Sequence, residues 1–346
     1  MINQALLKNA MIRSFTGRKK LPEISDKSWV LWPSESKVKR PSIYLEQMLD
    51  RVTEVCEFTN RERELKLIQG GEREYAPTMA YLIRNIEIID GHFYKGAMKY
   101  SIKEGRDKLW LNGSFEELSE AQLVAGWYGN RFFGHWIRDE VTASIIDFSP
   151  FQKLSVHRSP YLHEAGYREL FQIHSKSVGL ARCRELIVFD DYSQNSFKQK
   201  RYEYFRSSLK QGEAGQAKHP GVFIRRGKSG ASRTLVNESA IEEFFQSVGF
   251  TIVDQENLSA AEVMQKILGA KVVASVEGSH MAHGIYGIAE GGTFLALQPP
   301  YRFNNTYKDY ADCLDVNYSF VVGEEVPNGF IVSVEDLKKT LDIIPD

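Results

Sequence analysis

A strand-like run that ends in Glu-Gly-Ser is the first feature of this sequence that points to chemistry. The apolar run KVVASV ends at Val276, and Glu277, Gly278 and Ser279 follow it directly. In open α/β sheets, ligands bind beyond the carboxyl ends of such strands. Gly278 lets the backbone turn and approach a ligand closely, Ser279 can cap the next helix, and free N–H groups there favour a diphosphate. We expect Glu277 to accept hydrogen bonds from ribose or sugar hydroxyls; the alternative is an ordinary turn.

A second group of residues is suited to binding phosphate. In FIRRGKSGASRTLVNE, Arg225 and Arg226 end a strand, Arg233 follows a loop, and Asn237 and Glu238 start a helix. The guanidinium group makes paired hydrogen bonds to phosphate, and one placed above a sheet could neutralise a leaving diphosphate. The spacing is not that of a Walker loop, and a solvated basic loop is the alternative.

A third group, in NRFFGHWIRDEVTAS, contains a candidate general base. His135 and Asp139 are four residues apart, so on a helix they share a face and the carboxylate can orient the imidazole. An oriented histidine is a competent base near neutral pH. The alternative is a histidine packed in the core beside Trp and Phe.

The recurrence of Glu277, His280 and His283 at every third residue raises the question of a metal site. On a helix this spacing spreads the three side chains over about 120°, unlike the single face used by HExxH motifs. We therefore expect no metal here.

The elements that must position these residues alternate regularly from about Gly221 onward. Strand-like runs are GVFIRR, TIVDQ, KVVASV, TFLALQ and YSFVV, with helical segments between them and after Ser333. Ser259 and Glu262 form a capping box that opens one of these helices. The alternation predicts βαβ units and a mostly parallel sheet flanked by helices.

The first half of the chain has a less regular pattern. AYLIRNIEIIDGHFYKG predicts two strands near residues 80–100, the segments Leu118–Ser144, His163–Ser175 and Ser193–Gln211 are predicted to be helical, and RELIVFD is a predicted strand. The polar segment KQGEAGQAKHP is the predicted linker. We expect an irregular α/β domain over residues 1–214 and a Rossmann-like domain over residues 215–346. Tyr301, Phe303 and Tyr307 either stack on a base or sugar or pack in the core.

Composition narrows the class of protein. The chain has 346 residues, of which 42% are hydrophobic and 26% charged, as is typical of a globular protein with two domains. With 44 basic and 45 acidic residues, the chain has no excess of positive charge that would favour binding of nucleic acid. Three separated cysteines indicate neither a disulfide framework nor a zinc site, and we expect a cytoplasmic protein.

The first twenty residues, MINQALLKNAMIRSFTGRKK, are basic and weakly amphipathic. We favour a solvated leader helix because large apolar residues are few; peripheral contact with an anionic membrane, at its inner face, is the alternative.

The ordered set of motifs resembles glycosyltransferase family 61. GHWIRDE, FIRRGKSGASRTLVNE, a helix ending in VGF, a strand, and a capped helix leading into LGAKVVASVEGSHMAHGIY occur in the order typical of that family. The resemblance covers about His135 to Leu297. Many members have His-Gly-Ala where this chain has Glu277-Gly278-Ser279. We expect the Glu-Gly-Ser version in bacterial members of the capsular-polysaccharide type.

The resemblance also assigns roles by position. The family's first arginine falls on Arg225 or Arg226, its second on Arg233, its Asn-Glu pair on Asn237 and Glu238, and its His-to-Asp spacing on His135 and Asp139. We assign the diphosphate to Arg226 and Arg233, with Gly278 and Ser279, and include His280 and His283 among the donor-binding residues. Arg225 more naturally supports the strand, since adjacent strand residues face opposite ways. The candidate base is His135, oriented by Asp139, and Glu277 is its rival.

What the resemblance implies is a GT-B-like protein of two Rossmann-like domains, the C-terminal one holding a nucleotide-sugar donor. It implies an inverting transfer of a hexose or pentose to a saccharide or lipid-linked saccharide acceptor, without a metal ion or other cofactor. The alternative is a non-catalytic nucleotide- or carbohydrate-binding module of a polysaccharide-synthesis complex. An NAD-dependent enzyme is disfavoured because no GxGxxG opens a helix after a strand.

Overall fold

The computed structural model describes residues 1–212, 218–227 and 233–345. Its strands, in chain order, are β1 (Lys27–Trp32), β2 (Glu35–Lys39), β3 (Gly71–Tyr75), β4 (Thr78–Ile89), β5 (His92–Lys95), β6 (Met98–Ser101), β7 (Glu116–Leu123), β8 (Gln152–Val156), β9 (Lys176–Val178), β10 (Leu180–Asp190), β11 (His219–Ile224), β12 (Thr251–Val253), β13 (Ala270–Val276), β14 (Thr293–Gln298), β15 (Asn317–Val322), β16 (Glu324–Val326) and β17 (Gly329–Ile331).

The helices are α1 (Gln4–Thr16), α2 (Leu21–Ile24), α3 (Arg61–Gln69), α4 (Phe133–His135), α5 (Val141–Ala143), α6 (Glu164–Leu170), α7 (Ser196–Gly212), α8 (Glu238–Ser247), α9 (Ala260–Ile267), α10 (Gly284–Gly287), α11 (Thr306–Leu314) and α12 (Val334–Asp342). A π-helical turn, Trp136–Glu140, joins α4 to α5, and short 3-10 turns occupy Glu46–Arg51, Gln255–Asn257, Ser279–His283 and Pro300–Arg302.

Contacts between residues divide the chain into two compact units. The first consists of residues 1–34, 76–161 and 168–193, and the second of residues 35–75, 162–167 and 194–346. The sequence predicts one boundary, between residues 214 and 215, and that position, with the middle of the predicted linker, lies outside the described residues.

The second unit contains a five-stranded parallel sheet. Its strand order is β12-β11-β13-β14-β15, and every neighbouring pair is parallel. Helices α8 and α12 pack against each other, whereas α9 packs with α10, and α10 and α11 both contact α7. The order therefore follows the doubly wound pattern 2-1-3-4-5, with a switch point between β11 and β13.

The strands of this sheet are buried as their sequences predict. All six residues of β14 are buried, as are six of the seven in β13. Strands covered on both faces read as continuous apolar runs, because neither face meets water. The mostly parallel, helix-flanked sheet predicted for the C-terminal half is confirmed.

The first unit contains a mixed eight-stranded sheet. Strands run in the order β6-β5-β4-β10-β7-β8-β9, with β1 also paired to β4. Pairs from β6 to β10 are antiparallel, and pairs from β10 through β7 and β8 to β9 are parallel. This sheet is larger than the small sheet predicted near residues 80–100. The arrangement of two Rossmann-like domains stays a prediction.

Two local predictions were wrong. Residues Leu118–Ser144 were predicted to be helical, but their start lies in β7, where pairing with β8 and β10 overrides helix propensity. The expected long helix after Glu277 is a 3-10 turn followed by the single turn α10. Gly278 rather than Ser279 holds the cap position, and no side chain caps that turn.

The capping box is confirmed. Ser259 Oγ accepts from the Glu262 N–H and the Glu262 carboxylate accepts from the Ser259 N–H at the start of α9. Within the described part of the chain, no helix has the length and apolar character needed to cross a bilayer.

Candidate functional site

Three arginines surround Glu277 at the carboxyl edge of the parallel sheet. We call this group, Arg226, Arg233, Arg302 and Glu277, the arginine cluster. Arg226 follows β11, Glu277 follows β13, and Arg302 lies just after β14, so three neighbouring strands deliver the cluster to one edge. Because β11 and β13 flank the switch point, this is where an open α/β sheet binds its ligands.

Glu277 links the three guanidinium groups. Its backbone carbonyl accepts from Arg226 Nη1 at 3.0 Å and from Arg233 Nη1 at 2.5 Å. Its carboxylate Oε2 lies 2.8 Å from Arg233 Nη1 and 3.0 Å from Arg302 Nη1. Glu277 thus holds the arginines in place through both its backbone and its side chain.

The cluster is buried and carries excess positive charge. Arg226, Arg233 and Glu277 are each less than a tenth exposed, and among the described cluster residues three guanidinium groups meet one carboxylate. Burial, together with the charge of Arg233, lowers the pKa of Arg226 to about 10, and burial also lowers the pKa of Arg233. Arg226 still carries its charge at neutral pH. A bound anion would remove this electrostatic penalty.

One donor of the cluster, Arg233 Nε, lacks a hydrogen-bond partner among the described residues. Arg233 Nε is buried and makes no hydrogen bond within the described part of the chain. Buried polar groups are normally satisfied, so an unpaired guanidinium N–H at a strand edge is the kind of donor that a ligand oxygen completes.

Close packing against Arg226 leaves no room for a side chain at position 278, so the residue there must be glycine. A Cβ atom added at Gly278 would lie 1.9 Å from Arg226 Nη1 and 3.0 Å from Arg233 Nη1. The Gly278 carbonyl accepts from the buried Tyr307 hydroxyl at 2.8 Å. The groups that approach the Gly278 backbone closely are therefore Arg226 and Arg233, and the Tyr307 hydrogen bond fixes the turn.

His280 supports the cluster rather than projecting from it. Ser275 Oγ donates to the Ile224 carbonyl of β11 at 2.5 Å and lies 2.5 Å from His280 Nε2. Because the Ser275 hydroxyl has one proton and donates it to the Ile224 carbonyl, Ser275 Oγ accepts a hydrogen bond from His280 Nε2. Burial and the charge of Arg226 hold the pKa of His280 well below its ordinary value, and the ring is neutral.

His283 lies elsewhere in the second unit. Its Nδ1 is 2.6 Å from the Tyr167 hydroxyl, and its ring meets His163 edge-on. Glu277, His280 and His283 thus have separate surroundings. In the described ranges no three His, Cys, Asp or Glu side chains are placed to hold a metal ion.

Three other predicted donor-binding residues lie outside the cluster. Arg225 is paired with Glu242 and with Asp254, on the opposite side of the strand end. Both side-chain groups of Asn237 bond the backbone of Val332. Glu238 begins α8, where burial raises the pKa of its carboxyl group.

Ser279 and the loop before Arg233 complete the predicted donor site. Ser279 is half-buried beside Gly278, and its hydroxyl has no hydrogen-bond partner within the described residues. Residues 228–232 of the predicted phosphate loop lie outside the described residues.

The candidate base lies in the first unit. His135 Nδ1 is 3.4 Å from Asp139 Oδ2, and Asp139 is held by Arg138 through contacts of 2.8 Å and 2.7 Å. The imidazole stacks on Tyr128 with ring centroids 5.0 Å apart. The residues lie across a π-helical turn, a distortion that is common at functional sites. The structure thus brings His135 and Asp139 together as their spacing predicts.

Comparison with known families gives the decisive observation. The family model described as Glycosyltransferase 61 matches residues 133–295. Residues 133–295 belong to glycosyltransferase family 61. The match confirms the family predicted from the order of the motifs, and it indicates glycosyltransferase activity with binding of a sugar donor and an acceptor. No curated protein matches the chain.

The family 61 match contains His135, Asp139, Arg226, Arg233 and Glu277, but it ends before two residues of the site. Arg302 and Tyr307 lie beyond it, and of these two only Tyr307 was named as a candidate from the sequence. Arg302 was missed as a site residue. The available signal was its position just after the TFLALQ strand, because carboxyl ends of parallel strands meet at one edge.

The three aromatic candidates have different surroundings. Phe303 is buried against Phe320, and Tyr307 is buried beneath Gly278, so these two pack in the interior. Tyr301 is half-buried. The arginine cluster, rather than an aromatic platform, is therefore the feature best suited to a phosphate-bearing ligand.

Proposed function

We propose that this chain is an inverting glycosyltransferase that uses a nucleotide-sugar donor and needs no metal ion. The acceptor would be a saccharide or a lipid-linked saccharide, and the product a surface polysaccharide, as in bacterial capsule synthesis. A cytoplasmic location is part of the same proposal.

The arginine cluster is the observation that carries the proposal. A nucleotide-sugar presents a diphosphate, and three guanidinium groups at a switch point offer paired donors and positive charge to such a group. The turn after Gly278 is too short to supply a helix dipole. Arginine side chains would therefore supply most of the stabilisation.

The same groups would assist departure of the nucleotide. In the proposed reaction, the oxygen of an acceptor hydroxyl forms a bond to the anomeric carbon while the bond from that carbon to the diphosphate oxygen breaks. The hydroxyl proton passes to a base, and the bonding electrons leave with the diphosphate. Cations placed where that charge develops lower the barrier, because they are already oriented before reaction.

His135 is the base that we propose, with Asp139 as its positioning residue. Replacing His135 by Ala should lower transfer about 10²–10⁴-fold, the usual contribution of a general base. Donor binding should be unchanged, because the arginine cluster is intact. The control is His174→Ala, which removes an exposed histidine of the same unit. Turnover equal to that of the unaltered chain would rule out His135 as the base, leaving Glu277.

Hydrolysis of the donor separates an enzyme from a binding module. The purified chain is incubated with individual nucleotide-sugars without acceptor, and release of free sugar is followed. A transferase should release sugar slowly from one donor, and Arg226→Ala should abolish that release. Tight binding with no hydrolysis and no transfer to any saccharide would instead favour the non-catalytic module.

A further inference from the structure

Helix α1 exposes three of its large apolar side chains to solvent, whereas Leu6 and Ile12 are half-buried. Leu7, Met11 and Phe15 are 50%, 61% and 84% exposed, and a spacing of four residues places them on one face of the helix. The opposite face, which contacts the first unit, buries Ala5 and Asn9. An ordinary surface helix turns its apolar stripe toward the core, so a second apolar stripe that faces solvent is unusual.

Two further exposed apolar residues, Ile2 and Trp110, lie close to the start of α1 in the fold. Ile2 pairs with Trp110 in an antiparallel bridge, and directly opposed residues of such a bridge point to the same side. Ile2 is 46% exposed and Trp110 is 66% exposed. Exposed large apolar side chains grouped on one segment of a folded unit are candidates for an interaction site.

The charged side chains of residues 1–20, the segment that contains α1, are all positive. Residues 1–20 contain five basic and no acidic residues, in a chain whose totals are nearly balanced. Lys8, Arg13, Arg18 and Lys20 make no ion pair with any described residue, whereas Lys19 pairs with Glu23. A partner for this face must therefore offer both an apolar phase and negative charge.

We propose that α1, with Ile2 and Trp110, docks the chain on an anionic lipid bilayer, lying in the plane of the interface. Leu7, Met11 and Phe15 would enter the boundary between headgroups and acyl chains, and Trp110 would lie at headgroup level, where its amphipathic ring is favoured. Lys8, Arg13, Arg18 and Lys20 would contact anionic headgroups. This inference does not depend on the proposed transferase activity.

Co-sedimentation of the full chain with vesicles tests the inference. One set of vesicles is phosphatidylcholine alone, and the other contains phosphatidylcholine with a third phosphatidylglycerol. We expect binding to the anionic vesicles, weaker binding to the neutral ones, and a decrease in high salt. Sedimentation with neither set, or equally with both, would overturn the proposal.

Paired variants locate the contact. Met11→Glu with Phe15→Glu should abolish binding, whereas Val38→Glu, at a residue 82% exposed in the second unit, should not. Arg18→Ala with Lys20→Ala should weaken binding about 30-fold, or roughly fivefold for each basic residue. The control is Lys271→Ala, at an exposed lysine of the second unit.

Two further outcomes would contradict docking on lipid. If Met11→Glu with Phe15→Glu converts a dimer to a monomer in size-exclusion chromatography, the patch is covered by a second copy. If Val38→Glu lowers vesicle binding as much as the α1 variants, the binding is not located at this face. Titration of the same preparations with inorganic pyrophosphate measures whether the arginine cluster is intact, independently of vesicle binding.

Discussion

Glu277 is the residue on which the arginine cluster depends. Its side chain joins Arg233 and Arg302, and its backbone carbonyl accepts from Arg226 and Arg233. A carboxylate already engaged by two arginines is better suited to holding them than to accepting an acceptor proton. This favours His135 as the base, and it gives Glu277 a positioning role that can be measured.

Replacing Glu277 by Gln should destabilise the protein without removing the anion site. Breaking a buried ion pair costs about 3–5 kcal/mol, because the remaining charges are uncompensated. Pyrophosphate should restore part of that loss, so its stabilising effect should be larger than in the unaltered chain. Thermal unfolding with and without pyrophosphate measures both quantities. An unchanged unfolding temperature, or loss of pyrophosphate binding, would contradict the positioning role.

Replacing Gly278 by Ala should act through Arg226. The added Cβ would lie 1.9 Å from Arg226 Nη1, so the guanidinium must move while the fold can stay intact. Losing one charged hydrogen bond costs about 1.5–3 kcal/mol, or a ten- to 150-fold weaker affinity for pyrophosphate. Gly126→Ala, where the added methyl meets no atom within 4 Å, is the control. Equal affinities for pyrophosphate in the two variants would refute this interpretation.

Residue types near strand ends predicted part of this site. Arg226, Glu277 and Gly278 could be predicted because apolar runs mark strand ends, and Arg233 because it follows a basic loop. The role of Arg302 could not, because its link to Glu277 depends on how the chain returns after β14. Arg225 and Arg226 are adjacent in sequence, and strand geometry correctly indicated which of them faces the cluster.

At the scale of elements, Ser275 ties two strands together at the switch point. Ser275 lies in β13. Its hydroxyl donates a hydrogen bond to the Ile224 carbonyl in β11 and accepts one from His280 Nε2. These bonds fix the strand ends that carry Arg226 and Glu277. The geometry of the cluster therefore depends on a hydroxyl that does not touch any arginine directly.

Ser275→Ala should lower both stability and anion affinity. A buried donor left without its partner costs about 1–3 kcal/mol. Ser259→Ala removes the N-cap of α9 and should cost about 1 kcal/mol, with no effect on the cluster. Chemical denaturation gives the free energy of unfolding, and titration with pyrophosphate gives the affinity. If both variants bind pyrophosphate as tightly as the unaltered chain, Ser275 does not position the site.

The elements of the two units differ in how far the sequence predicts them. In the second unit, apolar runs alternate with helices, of which α9 and α12 have N-cap side chains, so the local sequence pattern predicts the strands and helices. In the first unit, β7 reads EELSEAQL, which favours a helix by propensity, yet it lies between β10 and β8. Those pairings join residues far apart in sequence, and no local pattern encodes them.

At the scale of the whole molecule, a transferase must bind a donor, bind an acceptor and move a proton. The family 61 match over residues 133–295 indicates binding of a donor and an acceptor. We propose that the arginine cluster meets the first requirement and that His135 meets the third. The central claim is that the cluster holds the diphosphate of the donor without a metal ion.

Calorimetric titration of nucleoside diphosphates, in the presence of a chelator, tests this claim most directly. The unaltered chain is compared with Arg226→Ala and with Arg225→Ala, which removes the neighbouring arginine paired with Glu242 and Asp254. We predict that one nucleoside diphosphate binds despite the chelator, that Arg226→Ala weakens binding about ten- to 150-fold, and that Arg225→Ala preserves it. Binding that requires a divalent ion, or that is equal in the Arg226→Ala variant, would contradict the account.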